Sequence, residues 1–240
     1  MAGESPREGF GEGFPAPPVP WTSRDVWLGV GGLVLWLLLA LGLVLLASFF
    51  APDMNVGLLI SLLELALLLP VWWLALRKYG ARWQDLGLRG FRGVALGMGC
   101  GLMFLSFLFN GLYNTLLALF DLQAQPDLIP LLAELDSPWF LLVGAILVAP
   151  VVEEIFFRGF VYAGLRARYG WKRAAVVSAL LFAAIHLQPT AALPIFVLGL
   201  IFAFLYEWSS SIWPAIVMHF ASNALAIGAA YLVIQAGLTT

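Results

Sequence analysis

Apolar residues run along this chain in long stretches, without the strict alternation of a half-buried strand or the one-sided stripe of a soluble helix. Crossing a bilayer takes roughly 20 mostly apolar residues, and stretches of that order lie at 27–50, 56–76, 93–120, 138–165, 173–189, 192–207 and 212–236. The pattern predicts an all-α fold, a polytopic transmembrane helical bundle of about seven spans. The fourth stretch is long and the fifth and sixth are short, so a count of six to eight fits the same text. Polar punctuation agrees with these limits. Ser137-Pro138 ahead of Trp139 offers a cap and a proline at the first helical position, and Gly170 behind Arg166 and Arg168 offers a stop. Residues 1–25 are rich in proline and glycine with little to bury, which predicts a disordered tail ahead of a single membrane domain at 26–240. The tail lacks the apolar core of a cleaved signal, so the first span is expected to remain as an uncleaved anchor.

At 62% hydrophobic and 11% charged residues, with mean hydropathy +0.95, the chain cannot cover a water-soluble globule with polar surface. The few cations are placed one-sidedly. Arg7 and Arg24 precede the first span, five basic residues lie at 77–92 between the second and third, and four lie at 166–173 between the fourth and fifth. The alternate loops have no Lys or Arg, and 121–137 carries Asp121, Asp127, Glu134 and Asp136. Short loops retain their cations on the cytoplasmic side, which predicts a cytoplasmic N-terminus and, with seven spans, an external C-terminus. The 77–92 segment, with Trp83 among its basic residues, reads as an interfacial turn or short amphipathic helix. No basic groove exists for nucleic acid, and membrane lipids are the expected neighbours of these cations. Cys100, the single cysteine, lies between glycines in the third span and is expected to be a small packing residue. Nothing in the text fixes an oligomeric state.

One apolar stretch breaks the pattern. Glu153-Glu154-Ile155-Phe156-Phe157-Arg158 places three charges within six residues of the fourth span. Each charge at mid-bilayer costs at least ~2.5–3.5 kcal/mol, so such residues are paired, hydrated or used. Glu154 and Arg158 stand four residues apart on one face and can pair, while Glu153 is turned by about 100° and is free to face a cavity. Two glutamates against one arginine require a third partner or a proton.

Both histidines follow in later spans. His186 ends Phe182-Ala183-Ala184-Ile185-His186, and His219 opens His219-Phe220-Ala221-Ser222-Asn223, with His219 and Asn223 on one face. At ~1.5 Å per residue from the expected cytoplasmic ends, Glu153 lies roughly 20 Å deep, His186 roughly 21 Å, His219 roughly 10 Å and Asn223 roughly 16 Å, within reach of one cytoplasm-facing cavity. Glu with His can activate water while His with Asn holds an oxyanion. Alternatively Glu153, Glu154, His186 and His219 could hold a divalent metal such as zinc. A purely structural charge network is the plainer explanation for any one of these residues taken alone. His-Glu-x-x-His, Gly-x-Ser-x-Gly, Walker A and dinucleotide signatures are missing from the text.

Glu153-Glu154-x-x-x-Arg158, Phe182-x-x-x-His186 and His219-x-x-x-Asn223, in that order, resemble the motifs of the CAAX prenyl protease and bacteriocin-processing (Abi) family of intramembrane proteases. Flanking text is similar too, including Ala149-Pro150, Arg158-Gly159-Phe160 and Ser211-Ile212-Trp213-Pro214-Ala215. The resemblance covers about 138–230; the first three spans match only in being hydrophobic. It implies that Glu153 and His186 activate water, that His219 and Asn223 form the oxyanion site, and that Glu154 and Arg158, with Phe182, brace the cluster. It implies an endopeptidase acting on a membrane-associated, prenylated or small peptide, in a bacterial cytoplasmic membrane, either as a metalloprotease or without metal. Two competing classes fit a buried polar cluster as well: a non-enzymatic immunity or scaffold protein, and an ion or proton transporter. The absence of evident inverted repeats weighs against the transporter.

Overall fold

The computed structural model describes residues 18–51, 55–122 and 139–236. Within them the chain forms seven successive helices joined by turns, with no strand. Helix α1 is Ser23–Phe50. Helix α2 spans 56–77, tightening to a 3₁₀ turn at Leu65–Leu67 and widening to a π-helix at Trp72–Arg77 around Pro70. Helix α3 is Val94–Ala118. Helix α4 spans 139–169 and includes two π-helical stretches, Gly144–Val148 and Ile155–Tyr162. Gly170, at φ 75° and ψ 160°, breaks the run Ala163–Ile185 and starts α5 at 171–185; only glycine holds that backbone readily. Helices α6 (Ala192–Ser209) and α7 (Trp213–Gln235) follow. The seven agree closely with the seven apolar stretches of the sequence. The expected helix start at Ser137-Pro138, the acidic 123–137 part of the loop and residues 1–17 lie outside the described residues.

Four helices, Ser23–Phe50, Gly57–Arg77, Val94–Ala118 and Ala192–Ser209, are long and apolar enough to cross a membrane. Their outer faces show why: Leu35, Leu38, Leu45 and Phe49 on α1, and Phe104, Leu105 and Leu108 on α3, are exposed large hydrophobes that suit lipid and not water. The protein is an integral membrane helical bundle. Cys100 belongs to this outer surface as well; the expected packing role is replaced by lipid exposure, because α3 turns that face away from the bundle.

Helix α4 occupies the centre. Phe156, Phe157, Phe160, Val161 and Tyr162 are all fully buried, packed against α1, α2 and α5. Widening to π geometry loosens the backbone ladder, and side chains from neighbours take up its carbonyls. Ser178 Oγ donates to Phe157 O at 2.8 Å, and Trp21 Nε1 donates to Phe160 O at 2.9 Å. The connection 78–93 is tied to the α6–α7 turn, where Ile212 N donates to Gly87 O and Ser211 Oγ donates to Arg89 O. It is a turn lying on the bundle, as one of its two expected forms.

The end of the expected tail is built into the fold. Trp21 is buried, and Thr22 and Asp25 close a capping box around the start of α1. Asp25 also accepts hydrogen bonds from Lys78 Nζ and Tyr79 OH, binding α1 to the end of α2. The Asp25 carboxylate holds the Lys78 ammonium above the ordinary lysine range. A group whose proton affinity rises on folding contributes fully below its unfolded value and loses that contribution as pH climbs through the folded one. Thermal unfolding across an alkaline pH series should therefore show a steeper fall for wild type than for Asp25→Asn, and parallel curves would remove this pair from the account.

Candidate active site

Two constraints built into α4 aim its charged residues. Pro150 has no N–H, and in the preceding π-helix the Ala149 N–H donates to Gly144 O, so the donor that π geometry would supply to Ala145 O does not exist. Asn223 from α7 fills the vacancy, its Nδ2 donating to Ala145 O at 2.9 Å. A proline three residues before Glu153 thus docks α7 onto α4 beside the double glutamate. The second π-helix begins directly after Glu154, and all of its residues, Arg158 among them, are buried.

Arg158 and Glu154 have no exposed side-chain surface, and Arg158 Nη1 donates to Glu154 Oε1 at 2.9 Å. Arg158 Nη2 donates to Gly199 O at 3.0 Å, reaching α6. Its guanidinium lies over the rings of Phe182 and Phe202, 4.4 and 5.2 Å from their centroids, so the charge is capped by π-faces as well as paired. A Cβ on Gly199 would stand 2.9 Å from that of Ala179 and 3.3 Å from Arg158 Nη2. Glycine is needed there for α6 to approach closely.

His219 supplies the third partner that two glutamates and one arginine require. Its Nδ1 lies 3.0 Å from Glu154 Oε1 and its Nε2 3.6 Å from Glu153 Oε2. The ring stacks on Phe202 and meets Phe182 edge-on. Glu154 accepts from two donors and is fixed; Glu153 has the single longer contact and borders a cavity of about 790 Å³ together with His186 and Asn223.

His186 stands apart from the carboxylates. Its Nδ1 lies 2.7 Å from Phe182 O, which can only accept, so Nδ1 carries the hydrogen and Nε2 keeps its lone pair. Phe182 thereby touches three members of the site: the Arg158 charge, His219 and His186. The structure brings together Glu153, Glu154, Arg158, Phe182 and His219 in direct contact, with His186 and Asn223 on the same cavity. Of the two histidines, His219 is the one that approaches Glu153. Among the described residues no three His, Cys, Asp or Glu side chains gather into a metal-holding set. With Glu154 held by Arg158 and His219, the four named candidates do not fit a closed metal site as arranged.

One carboxyl on this cavity escaped the sequence reading. Glu64, at the junction of α2 and its 3₁₀ turn, lines the cavity with Glu153. A single acidic residue within the apolar stretch 56–76 was the signal that could have found it.

Residues 135–225 match the model of a family described as type II CAAX prenyl endopeptidase, Rce1-like. The candidate membrane peptidase YdiL of Bacillus subtilis (strain 168) is 30% identical over 90 residues, which are 38% of this chain and 36% of that protein. The chain thus spans little more than a third of the relative it matches. No solved structure matches it.

Removing either member of the buried pair should be costly, since it strands its partner; losses of about 3–5 kcal/mol are typical. Arg158→Met and Glu154→Gln should each lower thermal stability in detergent. The double variant should recover part of the loss, and strict additivity would show that the two charges are not coupled.

Proposed function

We propose, for a chain whose residues 135–225 belong to the type II CAAX prenyl endopeptidase, Rce1-like family, that it is an intramembrane endopeptidase hydrolysing a membrane-associated or lipid-modified peptide. The observation that carries the proposal is the division of labour between adjacent carboxylates: Glu154 is locked by Arg158 and His219, and Glu153 is left facing a cavity beside two histidines and an asparagine. A structural network needs no such cavity and no unlocked carboxylate.

In this reading Glu153 takes a proton from a water in the cavity, and the oxygen attacks the scissile carbonyl. The His186 Nε2 lone pair holds the other water hydrogen and orients the nucleophile. The oxyanion meets the second N–H of Asn223 Nδ2, whose first is committed to Ala145 O, and the His219 Nε2 proton. Glu154 and Arg158 hold His219 at the required angle; they position and do not react. Water activation by Glu153 with His186 is preferred to metal activation because Glu154 is committed to its donors. The cavity wall opposite is formed by apolar residues of α1 and α2, including Leu33, Leu37 and Leu41, which suits an isoprenoid or acyl chain attached to the peptide. The cytoplasmic face of the membrane, where the basic connections 77–92 and 166–173 would lie, belongs to the same proposal.

The test is cleavage of a farnesylated Cys-aliphatic-aliphatic-Met peptide by purified protein in lipid vesicles, followed by mass spectrometry. Glu153→Gln should fold and insert normally but lose at least about 10²-fold in rate, while treatment of wild type with a chelator should leave the rate unchanged. Full turnover by a folded Glu153→Gln protein would contradict the proposal, and chelator-reversible loss would require metal-activated water instead.

A further inference from the structure

The motif residues form one wall of the cavity; the facing wall comes from α1 and α2, which lie outside the family match. That wall is apolar but for Trp36, Ser61 and Glu64. Two of these have internal partners: Trp36 Nε1 donates to Leu63 O at 3.0 Å, and Ser61 Oγ donates to Gly57 O at 2.9 Å. Among the described residues Glu64 meets neither a hydrogen-bond donor nor a cation, and its electrostatic neighbour is Glu153 across the cavity. Glu153 in turn faces Glu154, Arg158 and His219 from its own side. An ionised carboxyl in an apolar wall is far costlier than the neutral acid. Two carboxyls facing each other within one cavity also disfavour double ionisation.

Hydrolysis of an amide needs a second proton transfer besides the one that activates water. The water's proton goes to Glu153 as the C–O bond forms, but the C–N bond breaks only when the nitrogen gains a proton, since an amide anion is a poor leaving group. We propose that Glu64 is the proton donor to the leaving amine, acting from the α2 wall on a peptide held between it and Glu153. Resting on the hydrolase reading above, the balance is complete. The O–H bond of water breaks and its proton joins the Glu153 carboxylate. The Glu64 O–H bond breaks, its proton joins the departing nitrogen, and the C–N electron pair stays with that nitrogen. Passage of the Glu153 proton to Glu64 through cavity water then restores the starting state. Glu64 is suited to this by lining the same cavity as Glu153 from a wall that is otherwise apolar near it.

The test compares two probes on wild type, Glu64→Gln and Glu153→Gln in lipid vesicles: the farnesylated peptide, and its thioester analogue with sulfur in place of the scissile nitrogen. A thiolate leaves without a proton donor. Glu64→Gln should slow the amide by about 10²-fold and change the thioester little, whereas Glu153→Gln should slow both. Undiminished amide cleavage by Glu64→Gln, or equal loss on both probes, overturns the donor role while leaving the hydrolase reading intact. A wild-type chain that cleaves neither probe removes the hydrolase reading itself. Difference infrared spectra give a readout independent of turnover: the carbonyl stretch of a protonated acid should be present in wild type at neutral pH and missing in Glu64→Gln, and its absence from wild type overturns the proposal.

Discussion

An arginine with no exposed surface, inside a bundle built for lipid, must find its counter-charge within the protein. Arg158 finds it in Glu154 one turn back, and the remainder of its hydrogen-bonding and π-face contacts come from Gly199, Phe182 and Phe202 on α5 and α6. The pair contributes little net stability over well-packed apolar residues of similar volume. Its consequence is geometric: three helices are fixed relative to one carboxylate, and that carboxylate fixes His219 on a fourth. Without the pair, His219 loses the carboxylate that holds its Nδ1.

The second constraint is a missing hydrogen. Proline at 150 withholds a donor from Ala145 O, and the amide of Asn223 replaces it from α7. The same helix widens twice into π geometry, before and after the two glutamates. An irregular backbone in a membrane is tolerated where protein side chains satisfy it, and here the satisfying groups, Asn223, Ser178 and Trp21, stitch the central helix to its surroundings. The irregular backbone of α4 and the docking of α7 beside the glutamates are therefore one feature.

Much of this is legible in the sequence, because membrane spans and intramembrane charges are strong signals. The seven helices follow from runs of apolar residues, and Gly170 follows from its place behind a basic pair. Glu154 with Arg158 follows from four-residue spacing. Partnerships across helices are less legible. That His219 and not His186 approaches Glu153 depends on how α5 and α7 rotate about their axes, and no spacing within one helix encodes that. Cys100 is expected to pack and is instead exposed for the same reason, since the glycines beside it fit either a packed or an outer face of α3. Trp21 reads as part of a proline-rich tail, yet its indole donates to Phe160 O in the second π-helix, a carbonyl 139 residues away. Glu64 was overlooked because a lone acid in an apolar stretch has no motif around it; only the shared cavity joins it to Glu153.

In the proposed reaction water, and not a side chain, is the nucleophile that Glu153 serves. A single turnover of the farnesylated peptide in heavy-oxygen water, with both product and protein examined by mass spectrometry, tests that directly. Direct attack by water predicts one heavy oxygen in the new carboxyl terminus of the product and none in the peptide of the enzyme that contains Glu153. Heavy oxygen in the Glu153 side chain, with an unlabelled product, would mean that the carboxylate itself attacks the carbonyl through an anhydride and would contradict the account.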